Sequence, residues 1–261
     1  MSLVFASICP HPPIIIPTIG QENLPLVKKT IRALTKLEKD FRTASPNIVI
    51  VISPHGQLYQ DAFTINYSDK YIGSFKQFGD LATNLEFSPD LEFLHRLKEK
   101  LEQKLPTVIV REENLDHGSL VPLYFLTKNI KPNIVPIGYS LLDFETQLEF
   151  GRLMKEEIMA SKKKIAIIAS GDLSHRLTPD APAGFSPQGE IFDKKLIELL
   201  EKKDIKGILE MDKNLIEEAG ECGLRSFLIL LGVLEKINCQ PKIYSYEGPF
   251  GVGYCVMNFK I

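Results

Sequence analysis

The chain reads as an α/β domain, on three observations. Short β-branched runs alternate with longer amphipathic stretches along the whole length. The run Ile48-Val49-Ile50-Val51-Ile52 shows no polar alternation, which predicts a central strand buried on both faces. Size is the third: 261 residues fit one large domain, taken as 1–261, whose core needs no disulfide or structural metal.

The elements follow in order. An apolar run at 3–9 opens the sheet. Leu24, Val27, Ile31, Leu34, Leu37 and Phe41 then recur every three or four residues with lysines and arginines between them, the pattern of a helix with one buried face. Further β-branched runs predict strands at 47–53, 62–66, 107–111, 133–139, 164–170, 242–246 and 252–259. Helical spacing recurs over 90–104, 144–160, 189–202 and 224–237. The stretch 178–189 carries Pro179, Pro182, Gly184 and Pro187 and reads as a surface connection, with a mobile flap as the alternative. Gly248-Pro249-Phe250-Gly251-Val252-Gly253 leads into a strand and lacks a lysine, so it predicts a turn rather than a phosphate loop.

Composition narrows the function classes. With 44% apolar and 25% charged residues, global disorder and coiled coil are excluded. The 31 basic and 33 acidic residues leave a formal charge of −2, which offers no general attraction to nucleic acid or anionic lipid. Cys9, Cys222, Cys239 and Cys255 lie far apart without a CxxC pair, against both a zinc ribbon and a disulfide framework. Residues 1–6 carry no basic region, and no apolar stretch approaches the roughly 20 residues that span a bilayer. A soluble, cytoplasmic, reduced protein is expected.

Five histidines carry the functional signal. His95 lies in an amphipathic helical pattern and reads as a surface residue. His11, His55 and His175 each follow a predicted strand, in Cys9-Pro10-His11-Pro12-Pro13, Ser53-Pro54-His55-Gly56 and Gly171-Asp172-Leu173-Ser174-His175. His117 stands in Asp116-His117-Gly118-Ser119, ahead of a helix. Open α/β sheets bind ligands beyond the carboxyl ends of their strands, so parallel strands would bring these histidines into one crevice. Pro10 and Pro12 restrict the backbone around His11. Asp116 and Asp172 are placed to orient an imidazole. Two histidines and a carboxylate form the open arrangement of non-haem Fe(II) oxygenases. Glu221 is the candidate carboxylate, in Gly220-Glu221-Cys222-Gly223, with Glu217 and Glu218 as alternatives and helix-dipole compensation as the structural reading.

In these motifs the sequence resembles the class III extradiol ring-cleavage dioxygenases of the LigB type over essentially its whole length. The nearest pattern is that of the LigB-like subgroup found with AMMECR-type and Memo proteins. The resemblance implies an oxidoreductase of aromatic compound metabolism. It implies a mixed central sheet with helices on both faces and the site in a cleft. It implies Fe(II) on His11, His55 and Glu221, with His175 as acid/base and His117 bonded to substrate or oxygen. The implied substrates are a small aromatic diol and O₂. The implied partners are a second copy of the chain, or a small or AMMECR-type protein. Such a metal would hold both reactants within reaction distance, and a histidine could shuttle the catechol proton. Phe185, Tyr246 and Phe250 are candidate pocket aromatics. Cys222 departs from the pattern: Memo-type proteins carry a cysteine here and no metal carboxylate. Shifting the register by one gives His11, His55 and His175 with Cys222, a set suited to zinc or copper. The alternatives are therefore a Memo-like metal-binding protein without dioxygenase function, or a zinc-dependent hydrolase with Asp172 or Glu221 as base.

Overall fold

A computed structural model describes residues 2–261. In chain order the elements are β1 (Leu3–Cys9), α1 (Pro17–Gly20), α2 (Lys28–Ala44), β2 (Ile48–Ser53), β3 (Phe63–Asn66), β4 (Tyr71–Ser74), β5 (Asn84–Phe87) and α3 (Leu91–Glu102). The chain continues with β6 (Thr107–Val110), α4 (His117–Leu126), β7 (Asn133–Gly138), α5 (Phe144–Ala160), β8 (Ile165–Ser170) and α6 (Pro187–Lys202). It closes with α7 (Ile205–Leu209), α8 (Lys213–Ala219), α9 (Leu224–Leu234), β9 (Gln240–Glu247) and β10 (Tyr254–Lys260).

Eight strands form one mixed sheet in the order β6-β3-β7-β2-β8-β1-β10-β9. The centre, β7-β2-β8-β1, is parallel. β3 joins β7 antiparallel at one side, and β10 joins β1 antiparallel at the other. Strand β2 is buried throughout, because successive side chains enter opposite cores. Ile48, Ile50 and Ile52 belong to the core that contains residues of α3, α5, α6 and α9. Val49 and Val51 belong to the core that contains residues of α2 and α4. Helices thus cover both faces of a single α/β domain.

Local chemistry explains the departures from sequence expectation. The β4–β5 hairpin is interrupted by Gly73, Ser74, Asn84 and Glu86, so propensity does not announce it. Residues 21–27 tighten into a 3₁₀ segment containing Pro25, and regular helix begins only at Lys28. The last strand starts at Tyr254, after a turn in which Gly251 has φ +74°. The connection after His175 is pinned by backbone hydrogen bonds, Leu177 N to Gly251 O, Ala183 N to His175 O and Ser186 N to Arg176 O. It is therefore a tethered surface connection. All four cysteines are unpaired, and no helix among the described residues is long and apolar enough to cross a membrane.

Candidate metal centre

The site is assembled at the carboxyl ends of three neighbouring parallel strands. Cys9 pairs with Ser170, and Ile52 with Ala169, so β1, β8 and β2 end at one level. Each chain then turns into a histidine-bearing loop: His11 after β1, His55 after β2 and His175 after β8. His117 arrives from another direction, as the first residue of α4. Asp116 caps that helix by accepting from Ser119 N, and it also accepts from the Ser53 hydroxyl at the end of β2. The cap therefore ties the His117 helix to the strand that delivers His55.

Three imidazoles meet in van der Waals contact. The His55 and His117 rings stack with centroids 4.3 Å apart, and His11 meets both edge-on at 4.7 and 5.5 Å. His11 Nε2 lies 2.9 Å from His55 Nε2 and 3.7 Å from Cys222 Sγ. One ligand atom from each of His11, His55 and Cys222 falls within 4.8 Å of the others. The His11 tautomer follows from its neighbours. Ser170 Oγ donates to Gly118 O at 2.5 Å, so at 3.0 Å from His11 Nδ1 it accepts that nitrogen's proton. Nε2 is left with a lone pair aimed into the cluster.

Electrostatics keep the group neutral. Burial holds the His11 pKa well below the ordinary value, and the neighbouring His55, His117 and His175 add repulsion. Desolvation, then His117, pushes His55 down to about 4 against the pull of Asp116. His117 and His175 are also lowered by burial. Asp172 is pushed up to about 7 by burial, even though His11 N–H donates to its Oδ1 at 3.0 Å. Its Oδ2 lies 3.7 Å from His11 Nε2.

Glu221 and Cys222 lie next to each other but do different things. The Glu221 carboxylate accepts from Leu224 N at 2.6 Å, at the amino end of α9, and burial raises its pKa to about 7. The Cys222 thiol faces the histidines instead; Asp172 N donates to its Sγ at 3.3 Å, and burial raises its pKa. The close approach depends on glycine, since a Cβ on Gly171 would come within 2.2 Å of Gly223 Cα. His175 stands beside the cluster without contributing to the three-ligand set; its Nδ1 is buried with no hydrogen-bond partner among the described residues. His95 is remote, in an exposed pair with Glu99 on α3. Of the candidate aromatics, Phe185 is exposed and Tyr246 donates to Asp193. Sequence reasoning passed over Ser53, Ser170 and Tyr139, whose hydroxyl donates to Cys222 O at 3.4 Å. The signal available for the two serines is that each closes a fully apolar strand immediately before a histidine loop.

The donor set fits a metal ion. Metal–nitrogen bonds of about 2.0–2.1 Å at right angles put two nitrogens about 2.9 Å apart, which matches the His11–His55 separation. Ser170 also supplies the orienting acceptor that ligating histidines require.

Comparison with known proteins bears on the family and the fold. A family model described as the catalytic LigB subunit of aromatic ring-opening dioxygenase matches residues 5–257. A Clostridium acetobutylicum protein is 37% identical over the whole of this chain, which spans 58% of that protein's length. The 3,4-dihydroxyphenylacetate 2,3-dioxygenase of Escherichia coli is 24% identical over 80% of this chain and 82% of its own. The crystal structure of an uncharacterized Escherichia coli K12 protein superposes with a TM-score of 0.70 at 17% identity, covering 98% of this chain and 99% of that one. That last likeness speaks to the fold alone.

Proposed function

The chain belongs to the family of catalytic LigB subunits of aromatic ring-opening dioxygenases, and from that premise we propose that it opens a catechol-type ring with O₂ at a non-haem Fe(II) centre. The observation that carries this reading is the pair of neutral imidazoles, His11 and His55, facing each other at 2.9 Å beside a free Cys222 thiol and a neighbouring Glu221. Bound iron would supply electron transfer between the coordinated diol and oxygen. His11 and His55 hold the ion, and Ser170 fixes the His11 ring. His175, neutral because burial lowers its pKa, accepts a diol proton. His117, stacked on His55, donates a hydrogen bond to the substrate side of the centre.

The third ligand separates two readings. In the dioxygenase reading Glu221 leaves Leu224 N and turns inward. In the Memo-like reading Cys222 ligates as it stands, which favours zinc or copper and no ring opening. The test is anaerobic purification and Fe(II) loading, followed by metal analysis and O₂ uptake with catechols. Near-stoichiometric iron and catechol-dependent uptake are expected. Glu221→Gln should lose iron and activity, while Cys222→Ser should retain both. Bound zinc or copper that Cys222→Ser abolishes, with no uptake, would replace this reading with the second. Undiminished metal binding in His11→Ala and His55→Ala would refute both.

A further inference from the structure

The net charge of −2 hides a sorting of charge by face. Helix α2 and the strands β9 and β10 hold eight cations and three carboxylates, so these elements are strongly positive and the rest of the chain is negative. Lys28, Lys29, Arg32, Lys36 and Lys39 are all exposed on α2, while Leu34, Leu37 and Phe41 on the other side of the helix are buried. Lys28, Arg32, Lys36 and Lys39 follow one another at three or four residues, a single row along 17 residues of helix, or about 25 Å. A second row flanks it. Exposed Lys242 pairs with Asn258 on β10, Asn258 donates to Asp40 of α2, and exposed Lys260 lies two residues beyond Asn258 on the same side of the strand.

The acids of these elements do not neutralise the rows. Glu38 is buried, accepts from Asn129 Nδ2 and pairs with Arg42. Asp40 accepts from Tyr244 Oη and Asn258 Nδ2. Glu247 accepts from Thr30 N and Oγ1. Of the eight cations only Arg42 has a carboxylate partner among the described residues. Like charges at helical spacing destabilise a helix, so an anionic partner would relieve a strain that the fold now bears alone.

The arrangement favours a broad anionic surface over a nucleic-acid strand. Six of the eight are lysines, point charges on flexible stems that suit diffuse attraction rather than the bidentate grip of arginine on single phosphates. Tyr244 lies under Lys36, 4.2 Å from its Nζ, and donates its hydroxyl to Asp40, so its ring is not free to stack on bases. Leu26, 53% exposed beside Lys28 and Lys29, adds an apolar side chain at the end of the row. We propose that the α2 face binds the surface of an anionic bilayer, with the lysines over the lipid headgroups and Leu26 at their boundary. The inference is independent of the ring-opening reading.

Sedimentation with vesicles of phosphatidylcholine, with or without about 30% phosphatidylglycerol, in about 0.1 M and about 0.5 M salt tests it. Binding is expected only to the anionic vesicles and only at the lower salt, since exposed charges are screened. Lys28→Gln combined with Lys36→Gln should weaken it roughly 25-fold, about fivefold per cation, with the far-ultraviolet circular dichroism of the parent. Leu26→Gln should weaken it further. Lys194→Gln combined with Lys202→Gln makes the same change in net charge on α6 and should bind as the parent does. Failure to bind anionic vesicles at the lower salt would overturn the proposal, and a Lys36-dependent shift of duplex DNA in its place would reassign the face to nucleic acid. Equal loss in the α6 pair would also overturn it, by showing that net charge and not the α2 face governs binding.

Discussion

Because the Ser170 hydroxyl is already donating to Gly118 O, it can only accept from His11 Nδ1–H, and this one bond decides which nitrogen faces the cluster. Removing such an orienting partner typically weakens metal affinity about 10- to 100-fold. Ser170→Ala should therefore lose metal in that range, by competition with a chelator, while its far-ultraviolet circular dichroism stays that of the parent. Unchanged affinity would show that the tautomer is set elsewhere. Asp116 does comparable work one shell further out. By capping α4 and accepting from Ser53 it couples the His117 helix to the end of β2.

Among the elements, the contact of α5 with α9 matters most for the site, since α9 carries the 220–225 loop at its amino end. The two helices touch through glycines. A Cβ on Gly151 would sit 2.0 Å from Ile229 O, and one on Gly232 would sit 2.2 Å from Leu148 O. Backbone cannot yield at that distance as a side-chain tip can, so Gly232→Ala must separate the helices. The expected cost is about 1–3 kcal/mol, read as a lowered midpoint in urea unfolding. Displacement of α9 should also reduce metal retention; a variant with parental stability would show that the helices tolerate the extra methyl. Phe150, on the same helix, stacks on Phe63 of β3 with centroids 4.0 Å apart and anchors α5 to the sheet.

For the whole molecule, two sets of buried groups pull the pH dependence of stability in opposite directions: the neutral histidines favour higher pH, and carboxylates without compensating charge favour lower pH. Asp193 on α6 is fully buried, accepts from Tyr246 Oη and Ser174 N, and has its pKa pushed up to about 6 by burial. An unfolded aspartate titrates near about 3.9. Between those values this carboxyl is more protonated in the folded state than in the unfolded one, so its contribution to stability falls as pH rises through the window and levels off above it. The difference amounts to ~3 kcal/mol. Urea unfolding at pH 4 to 7 should show that the stability of Asp193→Asn relative to the parent rises by roughly this much between pH 4 and 6. Parallel curves for the two proteins would show that Asp193 is not the source. The same network, through Ser174 N, fixes the chain one residue before His175.

The amino-acid sequence by itself determined the α/β class, the fully buried central strand and the four histidines at strand and helix ends. Those features are local: periodicity, proline and glycine constraints, and a histidine directly after an apolar run need no partner to be read. The hairpin at 71–87 and the short helices α7 and α8 escaped because their runs are brief and weak, and packing alone stabilises them. Which of two adjacent side chains faces the cluster was undecidable from the order Gly220-Glu221-Cys222-Gly223. Only the tertiary structure decided it, by bringing Gly171 and Gly223 together so closely that the Cys222 thiol meets His11 while Glu221 is held by Leu224 N. The surroundings of Arg225, whose Nε is buried without a hydrogen-bond partner among the described residues, were equally invisible. Charge is written in the sequence, but whether a charge has a partner depends on what the fold places beside it.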